Sequence, residues 1–146
     1  MTMKMKTWQK TVVRFCVGGA LYFLIEIIWR EVLHRAQGAH PIMILPAGTV
    51  LALIYFLDDR RWNIFLSALL GALTVVCFEA VIGWTVYVNF GVYLWYYPVW
   101  DPDRFPLWNV ISFRWSLIWY ALCFGCLLLK QICEKRYFWK NWKNKQ

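Results

Sequence analysis

Charged residues are scarce in this sequence, and long stretches of it contain none. Only 16% of the 146 residues are charged, whereas 61% are hydrophobic and 20% are aromatic. A soluble domain carries charge on about a quarter of its residues. The apolar residues also form long runs that show neither strict alternation nor the polar periodicity of a soluble helix. A soluble helical bundle is therefore disfavoured, and the composition predicts an integral membrane protein.

The motifs of common enzyme classes are absent as well. There is no Walker A glycine loop, so the chain does not itself couple ATP hydrolysis to another process, and there is no G-x-S-x-G or H-E-x-x-H motif. His34 and His40 lack Cys or carboxylate partners at metal-site spacing. Cys123 and Cys126 have C-x-x-C spacing but lie in an apolar run, where thiols are small packing groups. The sequence implies no metal and no cofactor.

Four apolar runs are predicted to be membrane-spanning helices, for which about 20 residues are needed. The predicted spans are residues 11–30, 42–57, 62–88 and 107–130, followed by a basic tail at 131–146. The short charged segment Asp58, Asp59, Arg60 and Arg61 predicts a tight hairpin between the second and third spans. Residues 1–146 are thus predicted to form a single polytopic membrane domain that is entirely α-helical.

Lys and Arg are distributed unevenly about these spans. Twelve of the 16 lie in the N-terminal segment, the hairpin turn or the C-terminal tail, and the other four are Arg30, Arg35, Arg104 and Arg114. Short loops rich in Lys and Arg stay on the cytoplasmic side. We therefore predict that both termini are cytoplasmic, in the plasma (inner) membrane. The net charge of +8 is attributed to this topology and not to nucleic acid binding.

An aromatic segment that contains three prolines separates the third and fourth spans. Tyr and Trp side chains favour the membrane interface, and proline prevents one continuous helix. We predict an interfacial cap on the extracytoplasmic side. Asp101 and Asp103 beside Arg104 suggest either a cation site or, with more support, a solvated turn. The predicted cap residues are Tyr96, Tyr97, Trp100, Asp101 and Arg104.

Three charged residues are predicted to reach one depth in the outer half of the bilayer. Glu26 and Glu79 each lie about 15 residues above the cytoplasmic start of their spans, and Arg114 lies a similar distance above the end of the fourth. We predict a polar pocket beneath the cap. The alternative is a structural ion pair between Glu79 and Arg114. The predicted ligand-binding or buried polar cluster comprises Glu26, Glu79, Arg114, Asn109, Trp84 and Trp95.

The second half of the chain resembles a known membrane family. The resemblance is carried by Phe78, Glu79, Gly83, Trp84, Leu94, Trp95, Tyr96, Tyr97, Asp101, Arg104, Asn109, Ile111, Phe113 and Trp119. This pattern resembles the ABC-transporter type IV family, also called CmpB-like, whose members have one glutamate in the first span and another before a Trp-rich segment. Glu26 would match the first glutamate and Glu79 the second, whereas Tyr96 stands where the family usually has Asp. The resemblance implies a role in transport.

Three functions remain open at this point. The first is a transport-type protein, as a permease component, that binds or passes a small polar solute or proton at the Glu/Glu/Arg cluster. The second is an accessory or regulatory membrane subunit whose buried charges are structural. The third is an intramembrane lipid-modifying enzyme with Glu79 or Glu26 as the acid/base and His34 or His40 near the surface. The expected partners are membrane lipid, further copies of the chain or a larger membrane complex, and a separate ATPase.

Overall fold

A computed structural model describes the chain over residues 5–32, 41–94 and 111–143, with side chains at 5–28, 41–94 and 111–135. Four long helices make up these ranges, and a short 3-10 helix, Pro41–Met43, leads into the second. The helices are α1 (Thr7–Val32), α2 (Ile44–Asp59), α3 (Ile64–Phe90) and α4 (Phe113–Lys143).

Each of the four helices is long and apolar enough to cross a membrane. The candidate spans are Thr7–Ile28, Pro41–Asp59, Ile64–Phe90 and Phe113–Lys135. For the residues that the structure describes, this confirms the prediction of a helical chain with four membrane-length helices. The first three helices begin and end within about one turn of the predicted spans, as is usual for helix ends. The predicted start of the fourth span, residues 107–110, lies outside the described residues.

The turn between α2 and α3 is the tight hairpin that the sequence predicts. Arg60 caps α2, and Arg61 adopts a φ of 61°, a left-handed conformation that is uncommon for a residue other than glycine. Asn63 then begins α3 as its N-cap, because its Oδ1 accepts hydrogen bonds from the backbone N–H of Phe65 (2.9 Å) and Leu66 (3.4 Å).

The second helix is the central element of the bundle, since it contacts α1, α3 and α4. The core between α2, α3 and α4 consists of Val50, Ile54, Ala68, Val75, Cys123 and Leu127. Many large apolar side chains on α1 and α4 point outward instead, among them Leu21, Leu24, Leu122 and Leu129. In a chain of membrane-length helices these outward faces are suited to contact hydrocarbon.

Gly48 and Gly71 are among the glycines that allow the helices to approach closely. A Cβ at Gly48 of α2 would lie 2.6 Å from the backbone oxygen of Phe15 in α1. A Cβ at Gly71 of α3 would lie 2.6 Å from Ile54 Cγ2 and 2.9 Å from Cys123 Sγ. Because backbones can approach this closely only where side chains are absent, the two glycines set the spacing of α2 against α1 and of α3 against α2 and α4.

Candidate functional site

A buried carboxylate links α3 to α4. Trp119 of α4 donates its indole N–H to Glu79 Oε1 of α3 at 3.1 Å. The ring of Trp119 also packs against that of Tyr22 in α1, with centroids 5.1 Å apart and planes inclined at 42°. Residues from three helices therefore meet at one level, about 22 Å along α3 from its first residue. Trp119, which was part of the family pattern, was not predicted as a site residue.

The other predicted glutamate, Glu26, lies on α1 close in sequence to Tyr22. Glu26 follows Tyr22 by one helical turn, and residues at this spacing share a helix face. The exposed fraction is 4% for Glu79 and 8% for Glu26. Burying a carboxylate is costly unless it is hydrogen-bonded, paired or protonated. We refer to Tyr22, Glu26, Glu79 and Trp119 as the carboxylate site.

The other two predicted cluster residues within the described ranges, Arg114 and Trp84, are less buried than the glutamates. Arg114 is exposed, and not buried with the two glutamates. It precedes Trp119 by five residues, which places the two side chains about 140° apart around α4. Trp84 is half-buried near the end of α3, with its ring 6.0 Å from that of Tyr87, which stacks on Tyr93 at 4.4 Å.

The remaining predicted site residues fall outside the described residues. These are Asn109 and Trp95 of the polar cluster, the cap residues Tyr96, Tyr97, Trp100, Asp101 and Arg104, and the histidines His34 and His40. The predicted interfacial cap therefore stays a prediction.

A cluster of ion pairs at the opposite end of the bundle was not predicted. Lys130 of α4 pairs with Asp58 and, at 2.9 Å, with Asp59, both in the last turn of α2. Asp59 also forms an ion pair with Arg14 of α1 at 2.7 Å. Gln131 donates a hydrogen bond to Asp58 at 3.0 Å. These five residues, the ion-pair cluster, tie α1, α2 and α4 together at the end where the α2–α3 turn lies.

Tyr55 lies beneath the ion-pair cluster. The guanidinium of Arg14 and the ammonium of Lys130 lie 5.5 Å and 5.6 Å from the centre of its ring, distances at which a cation is attracted to an aromatic face. Its hydroxyl donates to the backbone oxygen of Cys126 at 3.3 Å. The sequence does carry a signal for this arrangement, because charges of opposite sign occur at the same end of three predicted spans.

An open pocket of about 750 Å³ adjoins the ion-pair cluster at the α2–α3 turn. Its lining includes Asp58, Asp59, Lys130 and Gln131 of the cluster, together with Thr7, Lys10, Phe56, Arg60, Arg61, Trp62 and Glu134. We call this the turn pocket. Within the described ranges, no group of three or more His, Cys, Asp or Glu side chains is arranged to hold a metal ion.

The fold and the carboxylate site define a class of protein: over its described residues the chain is helical, with four helices of membrane-spanning length and a buried carboxylate that is hydrogen-bonded between two of them. Comparison with protein-family models, with curated proteins and with solved structures finds no match to this chain.

Proposed function

We propose that this chain is a small multi-pass membrane protein of transport type that binds or passes a small polar solute or proton at the carboxylate site. The observation that carries the proposal is Glu79, which is almost fully buried and accepts a hydrogen bond from Trp119 across two helices. An ionisable residue at membrane depth is costly and is by default a candidate for a solute or proton pathway.

The chemistry of the contact supports this function. The indole N–H is a neutral donor, so it can orient the carboxylate in both its charged and its protonated form. A carboxylate that is oriented by a neutral donor is suited to take up and release a proton or a cationic group.

The resemblance to the ABC-transporter type IV family supports the same proposal. The two glutamates that match the family pattern, Glu26 and Glu79, are both buried. Under this proposal the ATPase would be a separate chain. Four helices offer little room for a complete pathway, so the outward apolar faces of α1 and α4 would serve self-association or contact with a larger complex.

The proposed placement is the plasma (inner) membrane with both termini in the cytoplasm. It rests on the concentration of Lys and Arg at the end that carries the chain termini and the α2–α3 turn. Reporter fusions at the two ends of the chain test it. Activity of a cytoplasmic reporter at both ends is the expected result, and activity of an extracytoplasmic reporter at either end would contradict the topology.

Reconstitution into liposomes tests the function. Wild-type protein is compared with Glu79→Gln, which keeps a side-chain oxygen for Trp119 but cannot ionise, and with the control Glu134→Gln, whose side chain is 64% exposed at the opposite end. Proton movement down an imposed gradient is followed with an internal pH dye. In parallel, a thermal-shift and mass-spectrometric screen detects stabilising or co-purifying small molecules.

We expect flux or ligand stabilisation in the wild type and in Glu134→Gln, and its loss in Glu79→Gln. If neither wild-type flux nor any ligand is found and Glu79→Gln only lowers stability, the carboxylate is structural. The second function, an accessory membrane subunit, would then be preferred. The outward apolar surface of α4 favours that second function, and co-purification with a larger membrane complex tests it. The lipid-modifying enzyme would use Glu79 or Glu26 together with His34 or His40, and both histidines lie outside the described residues.

A further inference from the structure

The turn pocket carries three basic side chains that lie outside the ion-pair cluster. Lys10 on α1 and the turn residues Arg60 and Arg61 are exposed and line the pocket. In the part of the chain that the structure describes, none of the three forms an ion pair. The three carboxylates in the lining, Asp58, Asp59 and Glu134, each form an ion pair with Lys130, and Asp59 also pairs with Arg14.

Aromatic side chains complete the lining of the turn pocket. The guanidinium carbon of Arg60 lies 5.1 Å from the centre of the Phe56 ring, a distance at which the cation is attracted to the aromatic face. Trp62 is exposed at the start of the next helix, the position at which tryptophan favours a membrane–water interface. The pocket therefore combines basic side chains with the aromatic rings of Phe56 and Trp62 at one end of three membrane-length helices.

We infer that the turn pocket binds the headgroup of an anionic phospholipid. Guanidinium groups bind phosphate oxygens through paired, charge-assisted hydrogen bonds, and a lysine adds a point charge. A volume of about 750 Å³ is ample for a phosphoglycerol headgroup. Phe56 and Trp62 would contact the glycerol and the first acyl carbons. The inference rests on the membrane placement proposed above, but on none of the residues of the carboxylate site.

The alternative source of the same chemistry is free phosphate. A phospholipid differs from free phosphate because it also has acyl chains, which can lie along the apolar outer faces of the helices. The position of Trp62 and Phe56 beside the cations favours the lipid, because free phosphate would gain nothing from apolar walls. Inorganic phosphate is therefore included as a separate arm of the test.

The test uses purified full-length protein in a neutral detergent, with binding followed by native mass spectrometry and by thermal shift. The probes are phosphatidylglycerol, phosphatidylcholine with the same acyl chains, and inorganic phosphate. The variant is Arg60→Gln/Arg61→Gln. Its control is Lys6→Gln/Lys135→Gln, which removes the same charge from two exposed residues at the same end that do not line the pocket.

We expect phosphatidylglycerol to bind and stabilise the wild type and the control, and its Kd to rise about 30-fold in the arginine variant, because each basic residue contributes roughly fivefold. Phosphatidylcholine and inorganic phosphate should have little effect. If the Kd for phosphatidylglycerol rises equally in the variant and in the control, the attraction is unspecific and the inference is overturned. An unchanged Kd in the variant, or inorganic phosphate binding as well as the lipid, would also overturn it. If the arginine variant does not fold, the Kd for phosphatidylglycerol is measured with Lys10→Gln, a substitution on α1, instead.

Because Glu79 is intact in these variants, the result is independent of the transport test. Loss of lipid binding with normal flux would support the lipid site alone. Loss of flux in Glu79→Gln with normal lipid binding would support the proposed function alone.

Discussion

The ion pair between Lys130 and Asp58 offers the sharpest test of how the bundle is held together. Their side chains are only 9% and 10% exposed, so neither charge would be well hydrated without its partner. Lys130→Met keeps the length and packing of the side chain but leaves Asp58 with Gln131 as its only described partner. Asp59 retains Arg14.

Removal of one member of a buried ion pair costs about 3 kcal/mol or more, because the remaining charge is left uncompensated. Since 1 kcal/mol corresponds to roughly 2–4 °C for a chain of this size, we expect Lys130→Met to lower the Tm by about 6–12 °C. The matched control is Lys135→Met, at an exposed position one turn further along α4, which should shift the free energy of unfolding by no more than about 0.5 kcal/mol.

The assay is thermal unfolding in detergent followed by circular dichroism, completed as a double-mutant cycle. Asp58→Asn removes the stranded charge, so the double variant Asp58→Asn/Lys130→Met should recover a large part of the loss in Lys130→Met. If Lys130→Met unfolds at the same temperature as Lys135→Met, or if the double variant shows no recovery, the ion-pair cluster does not stabilise the bundle as described.

Two further substitutions test the packing and the carboxylate site. Gly71→Ala should destabilise the protein by about 1–3 kcal/mol, because the new Cβ would meet Ile54 at 2.6 Å. Gly125→Ala on α4, where nothing lies within 4 Å, should be neutral or slightly stabilising, and equal thermal shifts for the two would refute the close approach. Trp119→Phe keeps an aromatic ring beside Tyr22 but removes the N–H, and chemical denaturation should show a loss of about 1–3 kcal/mol. A loss of the same size in Glu79→Met/Trp119→Phe as in each single variant would support the contact, because either change alone removes the hydrogen bond, whereas additive losses would contradict it.

The helices and the hairpin could be predicted because their signals are local. Runs of apolar residues of membrane length predict helices whatever they pack against, and the charged segment at residues 58–61 interrupts two such runs. Because glycine has no side chain, Gly48 and Gly71 can be recognised in the sequence as positions that allow close packing. The partners of these glycines could not be predicted, since they depend on which helix faces are turned inward.

The carboxylate site was predicted only in part. The depth of Glu26 and Glu79 follows from counting residues along a helix, and both side chains are buried. Rotation about the helix axis does not follow from that count, and for this reason Arg114 was grouped with the glutamates although it is exposed. Trp119 gave no signal of its own as a donor, because in an aromatic-rich apolar helix an indole is indistinguishable from the other lipid-facing or packing rings.

The sequence alone determined that this chain is helical, how many helices of membrane length it has and the level at which its charges lie along them, because these properties depend only on composition and on the helical rise. The tertiary structure decided which charges meet. Arg14 and Lys130 were counted as topology signals and Asp59 was assigned to the hairpin turn, yet packing of α1 and α4 on α2 brings the three together in one cluster. The same packing turns Glu79 toward Trp119, because the direction of a side chain around its helix is set by the neighbours that the helix buries.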